Sequence, residues 1–350
     1  MRVIVTGASG FIGKEIIAEL SKNNFTIFQI GRKNPAQQIP FGDENSQNNF
    51  FWADITDYNN FSELEKLSNI DAIVHSAGLA HQFGETGKEK FDSVNVLGTK
   101  NTIELAIKVK AKQFILISST AIYGIKKPDK QQIRQNYRLI IDEDTDCKPQ
   151  TRYAESKLEA ENVSIDICKK NSLPLTILRL APVIGEENTG NVARLVNAID
   201  RGRFVWIGKG ENLKTLIYKK DVARAVFQVL KDKKKDKKDE IEIFNLAALP
   251  ITMKEFVGEI EKQLNKSVPK FYISTEILRK IFLINAKILG VKKIKKISET
   301  VEKWLSDDIY AAEKIKQKYN FEPQTSMAEA IERQVSWYLE RKNRKIKRRV

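Results

Sequence analysis

The chain has 350 residues, 41% of them hydrophobic, enough to bury a full core in one large domain or two smaller ones. Its formal net charge of +15 is concentrated in Lys231–Lys238 (KDKKKDKK) and the tail Arg341–Arg349 (RKNRKIKRR); no aromatic residues interleave with these runs, so nucleic acid is not an expected partner. Cys147 and Cys168 suggest no disulfide framework, they have no metal-ligand spacing with His75 and His81, and no leader or apolar run of roughly 18–20 residues is present, which points to a cytoplasmic, metal-free protein.

The first element is the most informative. Val3, Ile4 and Val5 form an unbroken β-branched run, as expected of a strand covered on both faces. Gly7, Gly10 and Gly13 then punctuate a turn that also holds Ser9, Phe11 and Ile12, while Ile12, Ile16, Ile17 and Leu20 continue at helical spacing. Such a strand, turn and helix start form a pyrophosphate site. Glycines let the phosphates approach the backbone, and the helix presents free N–H groups and the positive end of its dipole.

A second strand, Thr26–Ile30, ends at Gly31-Arg32-Lys33. Dinucleotide folds place an acidic residue here for the adenosine 2′-hydroxyl; Arg32 suits a 2′-phosphate instead, which tilts the cofactor toward NADP over NAD. After a polar loop over 34–49 come a strand Phe50–Ala53 ending in Asp54-Ile55, and a strand Asp71–His75 followed by Ser76-Ala77-Gly78. A helix with Phe91, Val94, Leu97, Thr102 and Ile103 on its apolar side precedes the strand Phe114–Ile117. This alternation predicts an α/β chain with a Rossmann-type, doubly wound parallel sheet that binds ligands at the carboxyl ends of its strands. Gly7, Asp54, Ala77 and Ser118 all fall at such ends.

The last of these strands runs into Ser118-Ser119-Thr120-Ala121, and Tyr153 and Lys157 follow in YAESK at the head of a further helix. Four residues apart, the phenol and the ammonium share one helix face. A nearby ammonium favours phenolate and is expected to draw the phenol down from about 10. A tyrosine so tuned exchanges a proton with a carbinol while hydride moves, and Ser119 is placed to hold the same oxygen.

Taken together, TGASGFIG, Asp54-Ile55, HSAG, NVLGT, SSTAIYG, YAESK, RLAPVIG from Arg179 and DVARA from Asp221 resemble the extended short-chain dehydrogenase/reductases, the NAD-dependent epimerase/dehydratase family. The resemblance implies a proton-transfer role for Tyr153, a ribose-holding role for Lys157 and a polarising role for Ser119. It places Gly7, Gly10 and Gly13 on the pyrophosphate, Asp54 and Ile55 beside adenine, Ala77 and Gly78 along the cofactor, and Pro182 and Val183 beside the nicotinamide. Members of the family that dehydrate at C4–C6 carry an Asp-Glu pair after the position of Ser119; Thr120 and Ala121 stand there, so dehydration is not expected.

Beyond Gly185 the alternating rhythm stops. The resemblance implies a substrate-binding part formed by 181–214 and 248–340, with the sheet part at 1–180 completed by about 215–247 and a disordered basic tail from 341. Asn191, Arg194, Trp206 and Lys214, with Thr120, are the candidate contacts to a nucleotide-diphosphate sugar. Thr252 is expected to cap a helix reaching Leu264. The basic, apolar segment Ile277–Ile297 reads as a packed helix in preference to one lying on a membrane surface. The expectation is a homodimeric 4-epimerase or 4-ketoreductase of a nucleotide-activated hexose, the alternative being a dinucleotide-binding scaffold that turns nothing over.

Overall fold

The computed structural model describes residues 1–32, 49–80, 87–126, 138–232, 240–274 and 301–347. Seven strands form one parallel sheet: β1 (Arg2–Thr6), β2 (Thr26–Gly31), β3 (Asn49–Trp52), β4 (Ala72–His75), β5 (Phe114–Ser119), β6 (Leu175–Leu180) and β7 (Ile241–Leu246). Their order is β7-β6-β5-β4-β1-β2-β3. The winding reverses between β1 and β4, and that is where a crevice opens at the carboxyl ends.

Alternation along the strands supplies two cores. Val3 and Val5 of β1 meet Ile16, Ile17 and Leu20 of helix α1 (Phe11–Lys22) on one face, together with Val222, Val226 and Val229 further along the chain. Ile4 points the other way, to Ile103, Leu105 and Ala106 of helix α2 (Gly98–Lys108) and Cys168 of helix α3 (Arg152–Lys170). Burial on both sides is why the strands read as continuous apolar runs.

A third core lies apart from the sheet. It joins helices α4 (Asn191–Asp200), α6 (Met253–Leu264) and α8 (Met327–Lys347) through Leu195, Val196, Ile199, Phe256, Val257, Ile260, Ile331 and Val335. Helix α5 (Lys219–Lys231) and helix α7 (Glu313–Tyr319) return to the sheet side, where Val222 and Ile315 are buried. Thr252 caps α6 as predicted, in a reciprocal capping box with Glu255.

Two elements depart from the sequence reading. The single helix expected around Phe91–Ile103 is a turn Lys88–Phe91, a π-helical stretch Asp92–Leu97 and then α2; the wide turn rotates Leu97 outward, leaving it 42% exposed. The expected end of structure at 340 is passed by α8, which continues to Lys347 and is held by Lys342–Asp200 and Glu340–Arg344 contacts. Lys33, His81, the run 233–238, the segment 277–297 and residues 348–350 lie outside the described residues. Among the described residues no helix is long and apolar enough to cross a membrane.

Candidate active site

At the end of β1 the backbone of Gly7 turns through φ +69°, and a Cβ there would lie 2.7 Å from the Ala77 nitrogen. A Cβ on Gly13 would lie 2.1 Å from the Gly7 carbonyl. These glycines therefore serve the packing of the turn itself: β4's exit and the first turn of α1 close on Gly7 from both sides. That refines the sequence reading, in which they only cleared space for phosphate. Gly10 is the N-cap of α1 and contributes no capping side chain, and the first turn holds no acidic residue. The helix start is thus chemically suited to an anion, and the cradle fits a dinucleotide pyrophosphate.

Around this turn the predicted cofactor residues divide. Ser9 lies beside Gly31, where its Oγ would be 3.5 Å from an added Cβ, and Ile12 packs partly buried on the sheet core. Phe11 lies beneath the Lys219 ammonium, 5.7 Å from its ring centre. The Asp54 carboxylate accepts from the Thr56 amide and hydroxyl and lies 3.8 Å from the Arg32 guanidinium. Ile55 is buried, with its side chain against Gly98. Pro182 is exposed and accepts from the Ile217 amide, while Val183 begins a two-residue strand that pairs with Ile217.

On the other side of the crevice, three turns of α3 take hold of three neighbouring residues of β5. The Tyr153 hydroxyl is hydrogen-bonded to Ser119. Lys157 donates from Nζ to the Ile117 carbonyl at 2.7 Å. Glu161 accepts from the Ser118 hydroxyl. A Cβ on Gly78 would stand 3.6 Å from Lys157 Nζ, so the ammonium, Gly78, Ala77 and Gly7 form one continuous wall. Ser119, Tyr153 and Lys157 therefore meet beside the glycine turn.

Their electrostatics differ from the sequence reading. Burial pushes the Tyr153 phenol up, opposed only by its bond to Ser119; no cation draws it down. The strain falls on the lysine. Burial lowers Lys157 to about 8, with the Glu161 carboxylate acting against the fall. A cation at 9% exposure holds its charge poorly without a counter-charge.

Several residues of the site carried no role in the sequence reading. Asn95, turned inward by the π-helical stretch, accepts from the Leu79 amide at 2.7 Å and donates to Ser156 Oγ at 2.9 Å; Ser156 in turn donates to the Tyr153 carbonyl. His75 bridges Thr6 at 2.8 Å and Thr99 at 3.1 Å, and its burial holds it down at about 3, a neutral ring. Both ride on quoted motifs, HSAG and NVLGT. Only three-dimensional pairing reveals what they hold.

The matching stretch extends well beyond these motifs. The model of the NAD dependent epimerase/dehydratase family matches residues 3–247. This chain belongs to that family. Among its curated relatives is an N-acetyl-alpha-D-glucosaminyl-diphospho-ditrans,octacis-undecaprenol 4-epimerase of Escherichia coli O157:H7, 30% identical over 275 residues, which are 77% of this chain and 75% of that one. A human dTDP-D-glucose 4,6-dehydratase is 23% identical over 348 residues, 97% of this chain and 90% of that protein. The crystal structure of a Bacillus cereus UDP-glucuronic acid 4-epimerase in complex with NAD superposes with a TM-score of 0.72, covering 97% of this chain and 99% of that one at 21% identity. The last comparison speaks for the fold of the family, a parallel Rossmann-like sheet with a mostly helical C-terminal part.

The five candidate substrate residues differ in how they are held. Thr120 is 1% exposed; its hydroxyl donates to the Leu180 carbonyl and is bonded to Tyr310, so it faces inward. Lys214 donates from its ammonium to the carbonyls of Lys303 and Ser306 and to the Asp308 carboxylate at 2.7 Å. Trp206 stacks edge-on with Phe204 and covers Gly210. Asn191 and Arg194 lie exposed on the first turn of α4.

Proposed function

We propose that this protein is an NAD-dependent 4-epimerase acting on a diphosphate-activated hexose. The observation that carries this reading is the meeting of Ser119, Tyr153 and Lys157 beside the glycine turn. When bound at that turn, NAD supplies an acceptor for hydride from the sugar carbon and a donor for its return. Tyr153 in its ionised form, which the positive charge of the bound cofactor would favour against burial, takes the proton of the hydroxyl on that carbon and gives it back. Ser119 holds the same oxygen, and Lys157 holds the ribose. Asn95 and Ser156 tie the first turn of α3, and with it Tyr153, to the segment that leaves β4.

Two finer points belong to the same proposal. Dehydration is not expected, because the residues after Ser119 carry no carboxyl group and Thr120 is turned into the core. NAD is favoured over NADP, against the tilt read from Arg32, since the Asp54 carboxylate beside Arg32 would oppose a 2′-phosphate. A second reading concerns the carrier on the diphosphate. A polyprenyl group in place of a nucleoside is supported by the Escherichia coli relative and by the engagement of Lys214 with Asp308.

The test incubates the purified protein with UDP-hexoses, with a UDP-4-keto-hexose and with a polyprenyl-diphosphate-linked N-acetylhexosamine, with and without added NAD or NADPH. Inversion at C4 without net cofactor consumption is expected. Stoichiometric NADPH oxidation on a 4-keto sugar would replace the epimerase with a ketoreductase, and a 4-keto-6-deoxy product would restore the dehydratase.

A further inference from the structure

Behind the catalytic wall lies a buried charged cluster that no proton-transfer step uses. Glu161 is 1% exposed and follows Lys157 by one turn on α3. Its carboxylate accepts from Arg179 Nε at 3.1 Å and from the second guanidinium nitrogen at 2.8 Å, a two-pronged contact, and also from the Ser118 hydroxyl. Arg179 donates at 2.8 Å to the Tyr123 hydroxyl, which donates at 2.8 Å to Asn245 on the sheet's edge strand. The cluster thus spans β5, β6, β7 and α3 in a single connected chain.

This one carboxylate pairs with Arg179 and stands one helical turn from Lys157, the two side chains of α3 reaching adjacent residues of β5, Ser118 and Ile117. The groups around Tyr153, Lys157 and Glu161 come from four elements. From β4 comes His75, neutral and unable to offset the charge. From β5 come the Ile117 carbonyl and the Ser118 and Ser119 hydroxyls, all uncharged. From β6 comes Arg179, a like charge. From α3 come Tyr153, a neutral phenol, and Glu161. Among these groups Glu161 is the sole anion.

We infer that Glu161 is a positioning residue for the reaction: it holds Lys157 as an ammonium at the ribose site and, through Ser118, fixes the register that brings Ser119 to Tyr153. The inference deepens the proposed function and rests on it for the roles of Ser119, Tyr153 and Lys157. The physical ground is general. A buried ammonium with no counter-charge sheds its proton, and a strand held at one residue carries its neighbour along.

The test reads Lys157 directly and needs no sugar. Protein carrying 13C at the lysine ε carbons is titrated by NMR, with the Lys157 signal assigned by its loss in Lys157→Met. The wild-type midpoint is expected at about 8. In Glu161→Gln it is expected to fall by about one pH unit or more. Glu161→Asp keeps Arg179 paired but shortens the reach toward Lys157, so a smaller fall is expected there; this variant serves if the loss of Arg179's counter-charge in Glu161→Gln keeps the chain from folding. An unchanged midpoint in the folded variant, together with a lower Tm, makes the carboxylate a purely structural partner of Arg179 and overturns the inference. Absence of turnover on every activated sugar would sink the proposed function while leaving this titration readable. Where turnover is found, kcat in Glu161→Gln should lose its alkaline plateau at lower pH than wild type, with KM for the sugar within about twofold.

Discussion

The sheet and the third core solve different problems with the same chain. In the sheet, every residue of the proposed proton-transfer set hangs on backbone geometry. Gly7 and Gly13 have no room for a Cβ, Ser119 closes a strand, and Tyr153 and Lys157 rise from the helix packed on that strand. In the helical part the polar residues are spent on assembly. Asp200 binds Lys266, Tyr338 and Lys342, while Lys214 binds Asp308. The contrast teaches that the proposed chemistry is seated on rigid, doubly buried elements. The part proposed to meet the variable end of the substrate is built from side-chain clamps, which can be exchanged without disturbing the reaction.

The first way to break the comparison is at the reacting oxygen. Tyr153→Phe should lower kcat by about 10²–10⁴-fold with Tm and NAD binding unchanged, measured by turnover, melting and cofactor titration. Retained turnover would remove the phenol from the reaction. Gly13→Ala should act on the frame itself. Its methyl meets the Gly7 carbonyl, so a loss of about 1–3 kcal/mol in unfolding free energy and a large loss of NAD affinity are expected together. A variant that binds NAD normally would show that the turn yields more readily than its packing implies.

In the third core the expected effects fall on stability. Asp200 is a buried carboxylate; desolvation works against its ionised form, but the bonds from Lys342, Lys266 and Tyr338 prevail and hold it at about 2. Because the folded state binds its proton less readily than the unfolded chain, this contribution is complete above the ordinary carboxylate range and fades as pH falls toward about 2. Acid unfolding of Asp200→Asn should therefore be flatter over that window, from a starting stability lower by about 2–4 kcal/mol at neutral pH. Lys214→Ala should lower stability by about 1–3 kcal/mol, through the unpaired Asp308, more than it raises KM. The smallest effect belongs to Arg194→Ala. On the exposed first turn of α4 it should leave stability within about 0.5 kcal/mol, and any change should appear in KM. A Lys214→Ala variant that is stable but blind to substrate would return that lysine to the diphosphate.

Much of the sheet half was legible in the residues themselves. A β-branched run, three glycines and a helical pattern have one economical arrangement, and a serine strand end with Tyr and Lys one turn apart has one economical chemistry. What could not be read was who pairs with whom across the layers. Leu97 counts as apolar in any one-dimensional pattern, yet the π-helical stretch turns it to solvent. Lys214 aligns with a phosphate-binding arginine, yet Asp308, nearly a hundred residues on, occupies its ammonium.

The sequence alone therefore determined the order of strands and helices, the glycine turn and the residues from which the proposed proton-transfer set is drawn, because each depends on local spacing and on residues only a few positions apart. The tertiary structure alone decided the surroundings of that set and the partners that the substrate candidates keep within the chain. Burial raises Tyr153 and lowers Lys157, and a single carboxylate, Glu161, opposes the loss of the lysine's charge. Desolvation and long-range pairing depend on which surfaces meet, and no stretch of chain carries that information by itself.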